Sequence, residues 1–314
     1  MAFETADNVR ATSGLFGAET VVYYQKDVLD FLRKAVTLDQ FGQKKSLPKG
    51  SGKTISFQRY TAKASTDITA LTEGTTPSGL TLASTEITAI PLQYGAFVEV
   101  SDALVMEKID PVIENALKLL KDAAVQKKDV LTAEALHGNL TNQFAGGAAN
   151  VGATSAGMTA AEIRKGMTYL NAAGVPKFSN KYVLAVHPYC LHDLMSETVA
   201  GGWLETTKYT SNEEIMNGEI GTIYGVKIVP TPNIQSAAEG AASAVVYRNF
   251  LLGREAYGQI DLSGEGSVKV IIKALGAGDD PLDQRSTVGV KYWHVTKVLE
   301  AARAREIFAT ATLA

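Results

Sequence analysis

The chain has 314 residues, 46% hydrophobic and 20% charged, with a formal net charge of -3 and a sequence pI near 5.9. That composition supports a packed core of one large or two moderate domains. It excludes a global basic field that would hold nucleic acid by neutralising phosphates, so sequence-specific DNA binding is not expected. The single cysteine, Cys190, excludes an internal disulfide framework.

Met1 to Asp7 carry no basic n-region and no apolar h-region, unlike a signal peptide. No run approaches the ~20 apolar residues of a membrane helix. Cytosolic synthesis is the expectation. Polar, Gly-containing residues 1–19 read as an arm. Val21, Tyr24, Val28, Phe31, Leu32 and Ala35 recur at helical spacing and predict a short amphipathic helix over Thr20 to Ala35.

Two extended runs follow a Gly/Lys/Pro connector. The outgoing run is Lys53 to Tyr60. The returning run is Glu86 to Ile90 and, past Pro91, Ala96 to Ser101. Proline cannot donate to a sheet ladder, so Pro91 marks an edge or bulge. Between the runs lies a polar tip with Ile68, Leu71, Glu73, Gly74, Thr75, Thr76, Pro77, Leu80 and Leu82. An isolated hairpin is marginal in water. The ribbon therefore needs a surface from elsewhere, and another copy of the chain would supply it. Those nine residues are the expected inter-subunit contacts.

The clearest helix starts at Asp110-Pro111, a natural N-cap and first helical residue. Its apolar face holds Ile113, Ala116, Leu117, Leu120, Ala123, Ala124, Leu131 and Ala135, and Gly138 ends it. It is long enough, roughly 40 Å, to be the backbone of a subunit. Beyond a soft run from Phe144 to Gly157, Thr159 and Glu162 predict a capped helix to Gly174. Lys181 to Val186 reads as a strand and Pro188 to Met195 as a helix. Ser211-Asn212-Glu213-Glu214 is a second capping box. Thr222 to Val229 and Val268 to Ala274 read as buried strands, and Ala244 to Leu252 as an apolar element of open type. Val288 to Leu299 and Glu306 to Thr312 are the last strands, expected to return beside the long helix. The mixture predicts an α+β fold.

Candidate chemistry is sparse. Gly52-Lys53-Thr54 resembles the end of a phosphate loop and is the basis of a nucleotide-binding enzyme alternative. The full motif needs a glycine where Leu47 stands, and a following helix where an extended run begins. His187, Cys190 and His192 stand close, but a structural zinc needs four ligands. Asp279, Asp280 and Asp283 around Pro281 suit a turn better than a cation site. The Asn139-Leu140-Thr141 sequon carries no weight without a secretory signal. No catalytic, metal or cofactor residues are assigned.

Glu219 to Pro230, with Gly221 and Gly225 framing Ile223, resembles the axial-domain strand pair of tailed-bacteriophage major capsid proteins. Asp280 to Lys291 resembles the approach to the last strands in one branch of that family. So does Thr75-Thr76-Pro77 followed by Tyr94 to Asp102. The resemblance implies an N-terminal arm (1–52), an extended loop (53–100), a peripheral domain with a spine helix (101–158 and 276–314) and an axial domain (159–275). It places Gly221 and Gly225 at an axial-domain turn. It implies hexamers and pentamers of an icosahedral head around double-stranded DNA, with the loop lying over a neighbour. A scaffolding protein and a portal are the further expected partners. A bacterial nanocompartment shell of the same fold is the rival reading.

Overall fold

The computed structural model describes residues 37–47, 54–107, 112–197, 221–262, 268–273, 282 and 284–313. The expected Thr20 to Ala35 helix, the Asp110-Pro111 start, the Ser211 capping box and the aspartates around Pro281 lie outside them. In chain order the strands are β1 (Gln43–Leu47), β2 (Ile55–Tyr60), β3 (Ser84–Ala89), β4 (Leu92–Ser101), β5 (Thr141–Phe144), β6 (Tyr182–Val186), β7 (Thr222–Ile223), β8 (Val226–Pro230), β9 (Ser236–Ala237), β10 (Val246–Leu252), β11 (Tyr257–Leu262), β12 (Lys269–Lys273), β13 (Arg285–Val298) and β14 (Ala304–Thr310). The helices are α1 (Asp102–Glu107), α2 (Val112–Leu136), α3 (Ala160–Ala172) and α4 (Pro188–Ser196).

Strand β13 organises the first sheet. It pairs with β4 along one edge and β12 along the other, and its last residues pair with β11; β1 adds in parallel beyond β11. Burial along β13 alternates strictly from Ser286 to Thr296. That period of two turns one face, with Val288, Val290 and Tyr292, toward the long helix. Helix α2 has 25 residues and spans about 38 Å at 1.5 Å per residue. Gly138, at φ 71°, takes the left-handed C′ position predicted for it. The buried stripe of α2 drifts along its length. Ala116 and Ala124 are buried, Ala123 is exposed, and the last turns bury Asp129, Thr132, Ala133 and Leu136 rather than Leu131 and Ala135.

The second sheet runs β5-β14-β10-β6-β8-β7, with β9 beside β10. One face is covered by α3 and α4, whose Ile163, Leu170, Cys190 and Leu194 pack on Leu184, Leu251 and Ile307. A Cβ on Gly166 would stand 2.8 Å from Leu251, so glycine lets α3 sit close to the sheet. The other face receives Leu136 from the end of α2 and Leu38. Glu306, fully buried on β14, accepts from the Gly138 N–H at 3.2 Å and lies 2.7 Å from the His137 ring nitrogen. The end of α2 is thereby fastened to the second sheet.

Several expectations change. Strand β4 belongs to the first sheet, not to the ribbon. Pro91 separates β3 from β4, because the chain leaves one partner for another there. The last two strands part company: β13 lies beside α2, while β14 enters the second sheet. The apolar element near residue 250 is strand β10. Strand β12 is not buried, since Lys269, Ile272 and Lys273 are exposed. Only half of the first capping box forms. Thr159 accepts from the Glu162 N–H, but the Glu162 carboxylate turns to Gln143 at 2.8 Å.

Strands β7 and β8 form a two-residue hairpin through Tyr224 (φ 50°) and Gly225 (φ 77°). Two consecutive positive φ values define the mirror-image turn that suits sheet twist. Gly221 precedes β7 and stands outside that turn. A Cβ on Gly225 would meet nothing within 4 Å, so only backbone strain opposes substitution. Gly225→Val should cost about 1–2 kcal/mol, and Gly225→Asn much less. Thermal unfolding of the two variants checks the order.

Candidate functional site: a ribbon tip and an open sheet face

Strands β2 and β3 pair from Ile55–Ala89 to Tyr60–Ser84. Ile55, Phe57, Ile87 and Ala89 share one face and pack on Ile260, Val295 and Leu299 of the same chain. Phe57 is only 4% exposed. Its ring lies against Gly258, where a Cβ would approach to 2.7 Å. Lys45 Nζ sits 4.5 Å from the ring centroid, and Arg59 reaches Glu300 at 3.4 Å. The base of the ribbon is therefore seated on its own sheet, contrary to the expectation that it lacks a home there.

The rest is not seated. Every residue from 58 to 86 is exposed. One backbone bond, Thr61 N–H to Ala83 C=O at 2.9 Å, closes the neck. Beyond it, Ser65–Asp67 form a single 3-10 turn. A second turn brings the Thr75 N–H to the Thr72 C=O at 3.2 Å, with Gly74 at φ 79° and Glu73 beside it. Ile68, Leu71, Leu80 and Leu82 are 79%, 76%, 56% and 76% exposed. Thr75, Thr76 and Pro77 complete the tip and are exposed with them. Covering four aliphatic side chains is worth about 1.5–3 kcal/mol each. Nothing else in the described residues covers them.

A second surface lies on the first sheet, on the face away from α2. Gly95 and Gly289 carry no side chain there, and a groove of about 410 Å³ opens between Phe97 and Ile271. Phe97 is 67% exposed. Lys269 pairs directly across from Lys291, and Lys273 stands on the same face two pleat repeats along the strand. Glu99, across from Thr287 on β13, pairs with Arg285 at 3.7 Å. The surface is an apolar floor with a basic rim. Strand β4 pairs with β13 alone among the described residues, so one edge of a ten-residue strand is unsheeted.

The chemical candidates fare differently. Thr54 is followed by strand β2, not by a helix whose N-terminus could face phosphates; Gly52 and Lys53 lie outside the described residues. His187 caps α4 through the Tyr189 N–H at 3.3 Å and stacks on Tyr247. His192 is exposed, 3.4 Å from Asp193. Cys190 is fully buried, and burial pushes its thiol up to about 12. Such a thiol is a core residue, not a nucleophile. Among the described residues no cluster of three or more metal-binding side chains occurs, and no helix is long and apolar enough to cross a membrane.

Sequence reasoning missed Asp129, which sits on the buried stripe of α2 one helical turn before Thr132 and Ala133 and two before Leu136. An acid at an apolar-face position was the available signal. It also missed the groove, which exists only through the pairing of β4 with β13.

A family profile described as phage capsid protein matches residues 84–309. Solved structures agree in fold. The capsid of Ralstonia phage GP4 superposes with a TM-score of 0.74 at 15% identity, covering 97% of this chain and 98% of that one. The acid-stable capsid of Helicobacter pylori bacteriophage KHP30 gives 0.72 at 10% identity, covering 99% and 98%. The cyanophage Pam1 capsid gives 0.71 at 15% identity, covering 98% and 99%. No curated protein matches the chain. The profile spans β3 through most of β14, and therefore both sheets and the spine between them, so the chain belongs to the phage capsid protein family and is a structural coat subunit of a phage head.

Proposed function

We propose that this subunit is the major capsid protein of its phage, assembling as hexamers and pentamers of an icosahedral shell around double-stranded DNA. The single observation that carries this reading is the ribbon: its base is packed and its apolar tip is bare. Heterologous contacts that close by rotation give rings, and rings of five and six give a shell. Each contact can be weak, because every subunit is held by several neighbours at once. The chain works by binding its own kind and carries no reaction. A net charge of -3 suits a container that must release packaged DNA. A separate scaffolding protein and a portal complete the pathway, and synthesis takes place in the bacterial cytoplasm.

In this reading residues 1–52 are the arm. The extended loop contracts to 54–91. The first sheet with α2 forms the peripheral domain, and the second sheet with α3 and α4 the axial domain, with Gly225 at its hairpin. The tip, net acidic through Asp67 and Glu73 against Lys63, rests on the apolar floor and lysine rim of a neighbour's open sheet face. Negative-stain microscopy of the expressed protein tests the whole: closed particles are expected, and a monomer at micromolar concentration overturns it. Phe97→Asp tests the landing place. Melting of the free subunit should be unchanged, because Phe97 touches mostly water, while particle yield falls about tenfold, the equivalent of 1.4 kcal/mol. Wild-type yield would remove the groove from the interface.

A further inference from the structure

Asp129 lies on α2 and is fully buried. Its carboxylate accepts three consecutive backbone N–H groups from another part of the chain: Thr37 at 3.4 Å, Leu38 at 2.7 Å and Asp39 at 3.3 Å. Its second oxygen also accepts from Asn233 Nδ2 at 2.8 Å. Asn233 belongs to the turn after β8, and that turn is tied to β6 by the Thr231 N–H on the Val186 C=O at 2.9 Å. The Tyr257 hydroxyl, from β11, donates to the Leu38 carbonyl. Leu38 itself is fully buried in the core between the sheets.

One side chain thus meets the N-terminal segment, the long helix and the second sheet, with the first sheet adding Tyr257. Among the described residues no cation is a partner of this carboxylate. A buried charge held only by neutral donors is costly and is rarely kept for stability alone. We infer that Asp129 is a positioning residue: it fixes where and in what direction the N-terminal segment leaves the body, and it ties that segment to both sheets at once. Without the clamp, the segment would keep Leu38 in the core, the Tyr257 bond to the Leu38 carbonyl and the β1 edge pairing, but lose the three amide bonds that orient residues 37–39 on α2. The consequence for assembly rests on the reading of residues 1–52 as an assembly arm; the clamp itself does not.

Amide hydrogen exchange on unassembled full-length subunits tests the clamp, with rates corrected for intrinsic pH dependence. In Asp129→Asn, protection at 37–39 should fall at least about tenfold while β10 and β14 stay within about twofold. The exchanged pair Asp129→Asn with Asn233→Asp keeps one acid and one amide but moves the carboxylate off the three N–H groups; it should not restore protection. Restoration would make Asp129 mere glue between helix and sheet, and parallel loss in β10 and β14 would make it a general stability residue. Either result overturns the inference. Clamp results as expected with no shells from wild-type protein would leave the clamp standing and defeat the assembly reading instead.

Discussion

Subunits in which residues 62–82 are replaced by a short Gly-Ser turn between Thr61 and Ala83 should fold normally and form no shells. The deleted residues are exposed throughout, and surface changes of this kind stay within about 0.5 kcal/mol. Shortening the loop slightly lowers its closure entropy. The melting temperature of the free subunit should therefore move by no more than about 2 °C. Assembly loses much more. Ile68, Leu71, Leu80 and Leu82 together offer about 6–12 kcal/mol of gross burial per contact, and in a shell that loss repeats at every subunit. Sedimentation of the purified variant should show only small species. Shells of normal size and yield would mean that the bare tip is incidental and that another surface closes the particle.

The sequence carried those parts of the fold whose determinants are local. Gly138 announces the end of α2 because a left-handed cap favours a residue without Cβ. The run from Tyr182 to Val186 announces a central strand because both its faces are buried. Phe57 and the tip aliphatics were also visible, as apolar residues in a stretch too extended to cover them. Partnership between distant strands was not. Whether β4 continued the ribbon or joined β13 depended on a ladder about 190 residues apart in the chain, as in Ser101 with Arg285, and a period of two looks the same in either sheet. The separation of β13 from β14 was hidden likewise, since both read as apolar strands near the C-terminus. Asp129 escaped because its partners are backbone amides, which every residue possesses. At the candidate site, half of the pair of surfaces was therefore legible: the tip by its composition, but not the groove, which two glycines create only when Gly95 and Gly289 come together on neighbouring strands.

Phe57→Ala should abolish assembly with the tip left intact, because the tip can act only if the ribbon is aimed. Two kinds of contact hold the base. The Arg59–Glu300 pair, at 3.4 Å, joins side chains 45% and 29% exposed, and such a pair is worth about 0–1 kcal/mol. Phe57 is buried on Ile260, Val295 and Leu299, and truncating a buried phenylalanine costs about 3–5 kcal/mol. The apolar seat decides. In Phe57→Ala, amide protection across β2 and β3 should be lost while β10 and β14 keep theirs, and particle yield should fall to background. Arg59→Ala should change protection there by less than about fivefold, equivalent to roughly 1 kcal/mol. Gly258→Ala gives a third arm, because its Cβ would press on the Phe57 ring at 2.7 Å. Its cost should largely vanish in the Phe57→Ala background, since residues in contact are not additive. If Arg59→Ala matched Phe57→Ala, or if the two substitutions at the seat added independently, the ribbon would be aimed by charge and not by packing, and its direction would then depend on salt.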